Sequence, residues 1–459
     1  MKRENIGMAM ELKDKRVLVV GLARTGVALC RFLGKQGARI RVSEAKPAEA
    51  LGRYFQAIED LPVEKELGGH QAEFFRQSDL IVVSPGVPME IPPLVEARNW
   101  GIPVMSEVEL AFRFLETPLI AVTGTNGKTT TTTLIGQMLR ESGESVFVGG
   151  NIGTPLIEYI DQGQGAKWAV AEISSFQLEG IERFRPWISV LLNLTEDHLD
   201  RYPNFQAYVQ AKARIFENQR KSDYAVLSAD DPLTRAFVGR IEPRVFFFSR
   251  ERPLSKGCFL DGSRMIFQGP RGERETFDLT RLQIRGAHNL ENMMAATLVA
   301  RLCGCPAAVL QRTLENFRGL EHRLEWVREL RGVNYYNDSK GTNVGSVVKS
   351  LLSFEEPIWL IAGGKDKGGD YAPLADLVAR RVKGLALIGE AKDRMYRALG
   401  HRTQTACFDT LEEAVRWAHG QATPGDVVLL SPACSSFDMF ANYQERGDRF
   451  KAMVRQLPG

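Results

Sequence analysis

Residues 118–139 read PLIAVTGTNGKTTTTTLIGQML. Leu119 to Thr123 form a short apolar run, Gly124 to Gly127 a turn of small residues, and Lys128 opens a helix pattern. A strand that passes through a glycine-rich turn into a helix is the setting in which backbone N–H groups cradle phosphate. The loop Gly124-Thr125-Asn126-Gly127-Lys128-Thr129-Thr130 supplies matching chemistry: small residues at the turn, a lysine for the β- and γ-phosphates, a threonine hydroxyl for Mg²⁺. It departs from the standard spacing at one point, because Val122 stands five positions before Gly127 and the first glycine has moved to 124.

The same strand–turn–helix grammar recurs on both sides. Towards the N-terminus, VLVVG from Val17 leads through Gly21-Leu22-Ala23-Arg24-Thr25-Gly26 into VALCRFLGKQG and then ARIRVSEA, which predicts a βαβ unit and a parallel sheet. Its GxAxxG turn, with Glu44 at the end of the next strand, fits a nucleotide site, and by pattern alone NAD leads as its ligand. Further on, WAVAE puts Glu172 at a strand end, and ISVLLN runs into Thr195-Glu196-Asp197-His198-Leu199-Asp200. Lys212 lies in NFQAYVQAKARIFEN, where periodicity predicts an ordinary solvated helix lysine. The stretch Arg250 to Arg274 reads as basic and turn-rich, and AHNLENMMAATLVARLCG after it as helix. The last third repeats buried strands that end in polar loops, at VNYYNDSKGTN, IWLIAGGKDKGG, GLALIGEA and DVVLLSPACSSFDMF. Ligands of open α/β sheets bind outside the carboxyl ends of strands, so these loops are the expected functional positions. The expected fold is therefore α/β in three domains: Rossmann-like over 1–110, a P-loop ATPase-like parallel sheet over 111–318, and Rossmann-like over 319–459.

Composition excludes several classes. With 459 residues, 44% hydrophobic and 25% charged, the chain is neither disordered nor fibrous. A net charge of +3 gives no bulk attraction for nucleic acid. Six scattered cysteines without a CxxC pair fit reduced thiols rather than disulfides or zinc, hence a cytoplasmic setting. No run reaches the ~18 apolar residues of a membrane span, and no signal peptide opens the chain.

The motifs TGTNGKTT, AEISSFQLE, LNLTEDHLDRYP, GAHNLEN, EHRLE, NDSKGTN, GGKDKGG and LLSPACSSFDMFANYQERG, in this order, resemble the Mur ligase family over essentially the whole chain. SSFQLE, SPACSSFDMF and the GLARTG module are similar to its D-glutamate-adding members. The resemblance implies an ATP-dependent ligase of peptidoglycan precursor synthesis, working as a monomer on UDP-N-acetylmuramoyl-L-alanine and D-glutamate. It moves the first module's ligand from NAD to uridine diphosphate.

Carried over residue by residue, the resemblance implies Lys128 and Thr129 at the ATP phosphates and Mg²⁺, with Glu172 and His198 as metal ligands. Asn151 and Ser174 fall near the muramoyl substrate and the metal. Lys212 becomes a carbamylated lysine, a carboxylate-like ligand for a second Mg²⁺. Asn289, Arg323 and Asp338 match nucleotide contacts, and Lys340 a group beside the transferring phosphate. Thr342, Lys367, Ser436 and Tyr443 match D-glutamate positions, Tyr443 where Phe is common. Gly21, Thr25, Glu44 and Ser84-Pro85-Gly86 match uridine-diphosphate contacts, with Glu44 in place of a commoner Asp. Three rivals stay open on sequence: a folylpolyglutamate synthetase-like ligase, an NAD-dependent oxidoreductase and a non-catalytic nucleotide-binding regulator.

Overall fold

The structure, a computed structural model, describes residues 10–199, 201–284, 286–366, 368 and 370–458. Three α/β sheets make up the chain. The first contains β1 (Arg16–Val20), β2 (Arg39–Glu44), β3 (Val63–Leu67), β4 (Leu80–Val83) and β5 (Val104–Ser106), in the order β3-β2-β1-β4-β5. All its neighbours are parallel, as expected of strands joined by helical crossovers. RVLVV and LIVV are buried because both faces of such a sheet are covered. The order reverses at β1, so the loops after β1 and β4 meet at a topological switch point.

The second sheet holds β6 (Leu119–Thr123), β7 (Val146–Gly150), β8 (Trp168–Glu172), β9 (Ile188–Leu191), β10 (Tyr224–Ser228), β11 (Arg244–Ser249), β12 (Gly257–Asp261), β13 (Arg264–Gln268) and β14 (Arg274–Asp278). Its order is β14-β13-β12-β11-β10-β9-β6-β8-β7. The strands from β7 to β12 are parallel, while β12, β13 and β14 pair antiparallel at one edge. That edge corrects the reading of Arg250 to Arg274 as turns. CFLD and RMIFQ alternate with charges and glycines, but their apolar residues face the core: Cys258, Met265, Ile266 and Phe267 are buried.

The third sheet comprises β15 (Glu325–Leu330), β16 (Val333–Asn337), β17 (Ile358–Gly363), β18 (Val382–Ile388), β19 (Gln404–Cys407) and β20 (Val427–Leu430), in the order β15-β16-β20-β17-β18-β19. Only β15 is antiparallel to its neighbour. Two apolar layers cover its faces, one around Leu360, Leu385 and Leu429, the other around Trp359, Val428 and Phe450. Since β16, β20 and β17 are neighbours, the loops following them open at one end of the sheet.

The chain divides into two compact units. One contains the first two sheets (residues up to Leu194, Gln206–Asp278 and Met293–Thr313); the other contains the third sheet together with Thr195–Phe205 and Leu279–Asn292. Among the described residues, no helix is long and apolar enough to cross a membrane.

Candidate active site

In the second sheet, β6 stands between β8 and β9, pairing Val122 with Glu172 on one side and Val190 on the other. The strand runs on to Thr123, which explains the displaced glycine: Val122 is still a buried strand residue, and the chain leaves the sheet only at Gly124. Gly124 has φ +143°, and a Cβ there would sit 3.1 Å from Leu192 Cβ. Gly127, at φ +87°, is the left-handed N-cap of the helix Lys128–Glu141. Lys128 Nζ donates to the carbonyls of Gly124 at 2.8 Å and Thr125 at 2.7 Å, so its ammonium lies over the loop, beside the amides of a helix N-terminus.

Glu172 is buried at the end of β8. Its Oε2 accepts from Thr129 Oγ1 at 2.7 Å and its Oε1 from Asn151 Nδ2 at 2.8 Å. Three residues named from sequence thus meet on one carboxylate. The donors are hard oxygens, the kind Mg²⁺ prefers. Among the described residues no group of three His, Cys, Asp or Glu side chains is placed to hold a metal.

Ser174, two residues on, caps the short helix Ser175–Leu178 in a capping box with Gln177. Tyr208 donates to Thr125 Oγ1 at 3.2 Å, and Lys212 Nζ lies 4.7 Å from the centre of the Tyr208 ring. Lys212 is only 2% exposed, which overturns the solvated-lysine expectation. Its helix has apolar residues spread around its circumference, so periodicity could not assign a wet face.

Sequence reasoning missed Asn193. Its Oδ1 accepts from Asn126 N–H at 2.9 Å, its Nδ2 donates to Asn126 O at 3.0 Å, and its carbonyl accepts from Thr125 N–H. It pins the phosphate loop from a position 67 residues away. Also missed were two buried carboxylates on the helix Glu107–Phe114. Glu107 Oε1 accepts from Ile157 N–H at 2.8 Å, and burial, opposed by that bond and by Gln177, pushes its pKa up to about 7. Glu109 Oε2 accepts from the N–H groups of Glu182, Arg183 and Phe184, while its Oε1 takes Arg113 at 2.8 Å.

At the switch point of the first sheet, Ser84 Oγ donates to Gly21 O at 2.9 Å, and a Cβ on Gly26 would clash with the same carbonyl. These contacts hold the GxAxxG turn against the Ser84-Pro85-Gly86 turn. Glu44 folds back onto the loop, accepting from Leu22 N–H at 2.7 Å and Lys46 N–H at 3.0 Å. Thr25 lies in the helix Arg24–Lys35 that leaves this turn.

The second unit holds the remaining named positions. His198 has φ +56°, and its N–H donates to Asp197 Oδ1 at 3.0 Å; Asp197 Oδ2 accepts from Asn343 Nδ2 at 3.1 Å. Asn343 also caps the helix Val344–Leu351, so the TEDH and NDSKGTN segments share one junction. Asp338 is buried, with Oδ2 accepting from Ser350 Oγ and Ser431 Oγ, each at 2.7 Å. Burial pushes its pKa up to about 6 against those hydrogen bonds, with Arg323 as a weaker opposing charge. Lys340 Nζ stands 4.4 Å from the ring of Tyr443, and Thr342 N–H turns back to Lys340 O. Ser436 is buried in the loop after β20. Asn289 lies in the first turn of the helix Ala287–Leu302, its N–H donating to Gly286 O. Lys367 lies outside the described residues. Arg446, quoted in a motif but given no role, is buried and ties these loops together: it donates to Ser339 Oγ at 2.9 Å, Ser339 O at 2.8 Å, and Cys434 O at 3.3 Å.

Three family descriptions match consecutive parts of the chain: "Mur ligase MurD-like, N-terminal domain" over residues 15–106, "Mur ligase middle domain" over 122–300 and "Mur ligase, glutamate ligase domain" over 322–434. The chain belongs to the Mur ligase family. It is 55% identical over 448 residues to a curated Geotalea uraniireducens protein named UDP-N-acetylmuramoylalanine--D-glutamate ligase, covering 98% of this chain and 99% of that one. An Acidobacterium capsulatum protein of the same name is 47% identical, covering 97% of each. Among solved structures, this Mur ligase superposes on MurF ligase from Thermotoga maritima in complex with ADP, with a TM-score of 0.61, 17% identity and coverage of 99% and 100%. A pseudomurein peptide ligase type C from Methanothermus fervidus gives a TM-score of 0.63 at 17% identity, covering 96% of this chain and all of that one. These structures support the fold.

Proposed function

We propose that this Mur ligase joins D-glutamate to UDP-N-acetylmuramoyl-L-alanine at the expense of ATP, in the cytoplasmic synthesis of peptidoglycan precursors. The observation that carries this reading is the near full-length identity to relatives bearing that name, with a phosphate loop whose Thr129 and Asn151 meet on Glu172. In this reading residues 1–110 take the uridine diphosphate, 111–318 the ATP, and 319–459 nucleotide and D-glutamate.

The amides of the phosphate loop and Lys128 bind and orient the β- and γ-phosphates, so that the alanyl carboxylate attacks the γ-phosphorus in line. An acyl phosphate and ADP result. Thr129, Glu172, His198 and a carbamylated Lys212 would hold Mg²⁺, which supplies charge neutralisation on the transferring phosphoryl group when bound. Lys340 adds a cation beside that group. Thr342, Lys367, Ser436 and Tyr443 orient the D-glutamate amine towards the acyl carbon; C–N bond formation expels phosphate. Asn151 and Ser174 hold the muramoyl end. Gly21, Thr25 and the Ser84 turn hold the uridine diphosphate, and Asn289, Arg323 and Asp338 the adenine nucleotide. Glu44, which also accepts from Leu22 and Lys46 N–H, is a further contact to the uridine diphosphate.

The test is ADP release from ATP in the presence of UDP-N-acetylmuramoyl-L-alanine, with and without D-glutamate. Full turnover with D-glutamate and little with L-glutamate is expected. No turnover with the uridine substrate, but turnover with a folate acceptor, would replace this reading by the folylpolyglutamate-type one. No turnover with any acceptor would leave a nucleotide-binding regulator.

A further inference from the structure

Two loops of the third sheet, after β17 and after β20, are joined by a polar chain that neither the phosphate loop nor the proposed substrate contacts account for. Asp366, in the loop after β17, takes three donors: Arg394 Nη1 at 2.8 Å to Oδ2, and Gly368 N–H at 2.9 Å and the Tyr371 hydroxyl at 3.1 Å to Oδ1. The Tyr371 oxygen also lies 3.2 Å from Cys434 Sγ, in the loop after β20. Tyr371 and Cys434 are both buried, and the Arg394 guanidinium sits 5.6 Å from the Tyr371 ring centre.

The direction of the chain follows from its chemistry. Burial raises the pKa of Asp366, but the bonds from Arg394, Gly368 and Tyr371 outweigh it and hold the carboxyl below its ordinary value. An ionised carboxylate can only accept, so Tyr371 must donate its single hydroxyl proton to Asp366. The sulfur contact is then left to the thiol proton, and Cys434 donates to the Tyr371 oxygen. Burial, which pushes this thiol up to about 11, keeps that proton in place. The result is a one-way relay, Cys434 to Tyr371 to Asp366, closed by Arg394.

The relay fixes a distance between loops that are also joined through their main chains. Lys365 N–H donates to Ser435 O at 2.9 Å and Gly363 N–H to Pro432 O at 2.8 Å. Gly364, at φ +131°, has room for no Cβ, which would stand 2.3 Å from Ser435 O. Asp366 precedes Lys367 in sequence, and Cys434 stands two residues before Ser436.

We propose that Tyr371, held by Asp366 and Arg394 and capped by the Cys434 thiol, is a positioning residue for the amino-acid acceptor, setting the spacing of the two loops that receive D-glutamate. This rests on the functional reading above. The hydroxyl touches no reacting group, so its loss acts on acceptor binding and leaves ATP and uridine-substrate binding alone.

The test is Tyr371→Phe, which keeps the ring and its packing, in steady-state ligation with each substrate varied in turn. The expected result is a KM for D-glutamate raised about tenfold, as for loss of one hydrogen bond to a charged group. KM for ATP and for the uridine substrate should stay within about twofold of wild type. Because Tyr371 and Arg394 act on the same carboxylate, Tyr371→Phe combined with Arg394→Gln should raise that KM by less than the product of the single effects. An unchanged D-glutamate KM in Tyr371→Phe overturns the inference while the wild type still turns over D-glutamate. An equal rise for all three substrates overturns it in favour of a structural role. A wild type that releases ADP only with some other acceptor overturns the functional reading, and the inference with it.

Discussion

Replacing Glu107 by Gln isolates the effect of one buried acid. Glu107 is 1% exposed, and its pKa stands at about 7 against an ordinary 4.5, chiefly because burial penalises the carboxylate. A folded state that holds its proton more tightly than the unfolded chain is favoured while that proton is present. The contribution is complete below about 4.5 and is lost as pH rises towards 7, because over this window the unfolded chain ionises first. At ~1.4 kcal/mol per pH unit, wild type gives up about 3 kcal/mol across the window. Gln carries no ionisable proton, yet its amide oxygen can still accept from Ile157 N–H. The stability of Glu107→Gln relative to wild type should therefore climb by about 3 kcal/mol between pH 4.5 and 7.5. In thermal unfolding of a 459-residue chain that is a relative gain of about 3–5 °C. Other titrating groups are common to both proteins and cancel in the difference. The assay is paired thermal scans at half-unit pH steps. A difference that stays flat across the window, or shrinks as pH rises, would refute a buried neutral acid at this position.

Further outcomes follow from the site. Lys128→Ala should keep its circular dichroism spectrum and lose at least ~10²-fold in ligation, because the deleted charge stands over the phosphate loop rather than in a core; near-normal turnover would remove the loop from the reaction. Lys212→Arg and Lys212→Ala should both slow the chemical step far more than they weaken ATP binding, since Arg keeps the cation but cannot form a carbamate; full activity in Lys212→Arg, followed by single-turnover kinetics, would return this residue to a packing role. Glu109→Ala should destabilise the protein by about 3–5 kcal/mol, because three N–H groups and Arg113 lose one buried acceptor; a melting temperature within a degree or two of wild type would contradict that accounting.

What could be read in the sequence was local. The phosphate loop declares itself within seven residues, since glycine, lysine and threonine there answer to backbone geometry and charge on the spot. Glu172 was visible as an acid at a strand end, and the three sheets as recurring apolar runs. The antiparallel edge β12 to β14 was hidden because RMIFQ and RETFD carry arginines at their ends, and charge density imitates a solvated turn. Partnerships over long separations left no local trace. Asn151 meets Glu172 across 21 residues, Asn193 meets Asn126 across 67, and Arg446 reaches Ser339 across 107. In each case a polar side chain gains its role only when the fold brings two segments distant in sequence to one sheet end.

Buried charge is common to four helical positions, of which Lys212 was assigned to solvent from periodicity and the other three were given no role. Lys212, Glu107, Glu109 and Arg446 all lie in helices, where a charged residue is assigned to solvent by default. Burying any of them is costly unless specific partners answer the charge, so each marks a place where the fold concentrates hydrogen-bonding groups. For three of the four the partners are backbone groups at loop ends: Ile157 for Glu107, residues 182–184 for Glu109, and the carbonyls of Ser339 and Cys434 for Arg446. Of these, Arg446 holds the main chain of the loops after β16 and β20, where the proposed nucleotide and D-glutamate positions lie. Lys212 places its ammonium 4.7 Å from the centre of the Tyr208 ring, whose hydroxyl reaches Thr125 of the phosphate loop. In the proposed reaction this lysine becomes an anionic oxygen ligand, and arginine, which keeps the cation but cannot form a carbamate, is the substitution that tests this step apart from packing.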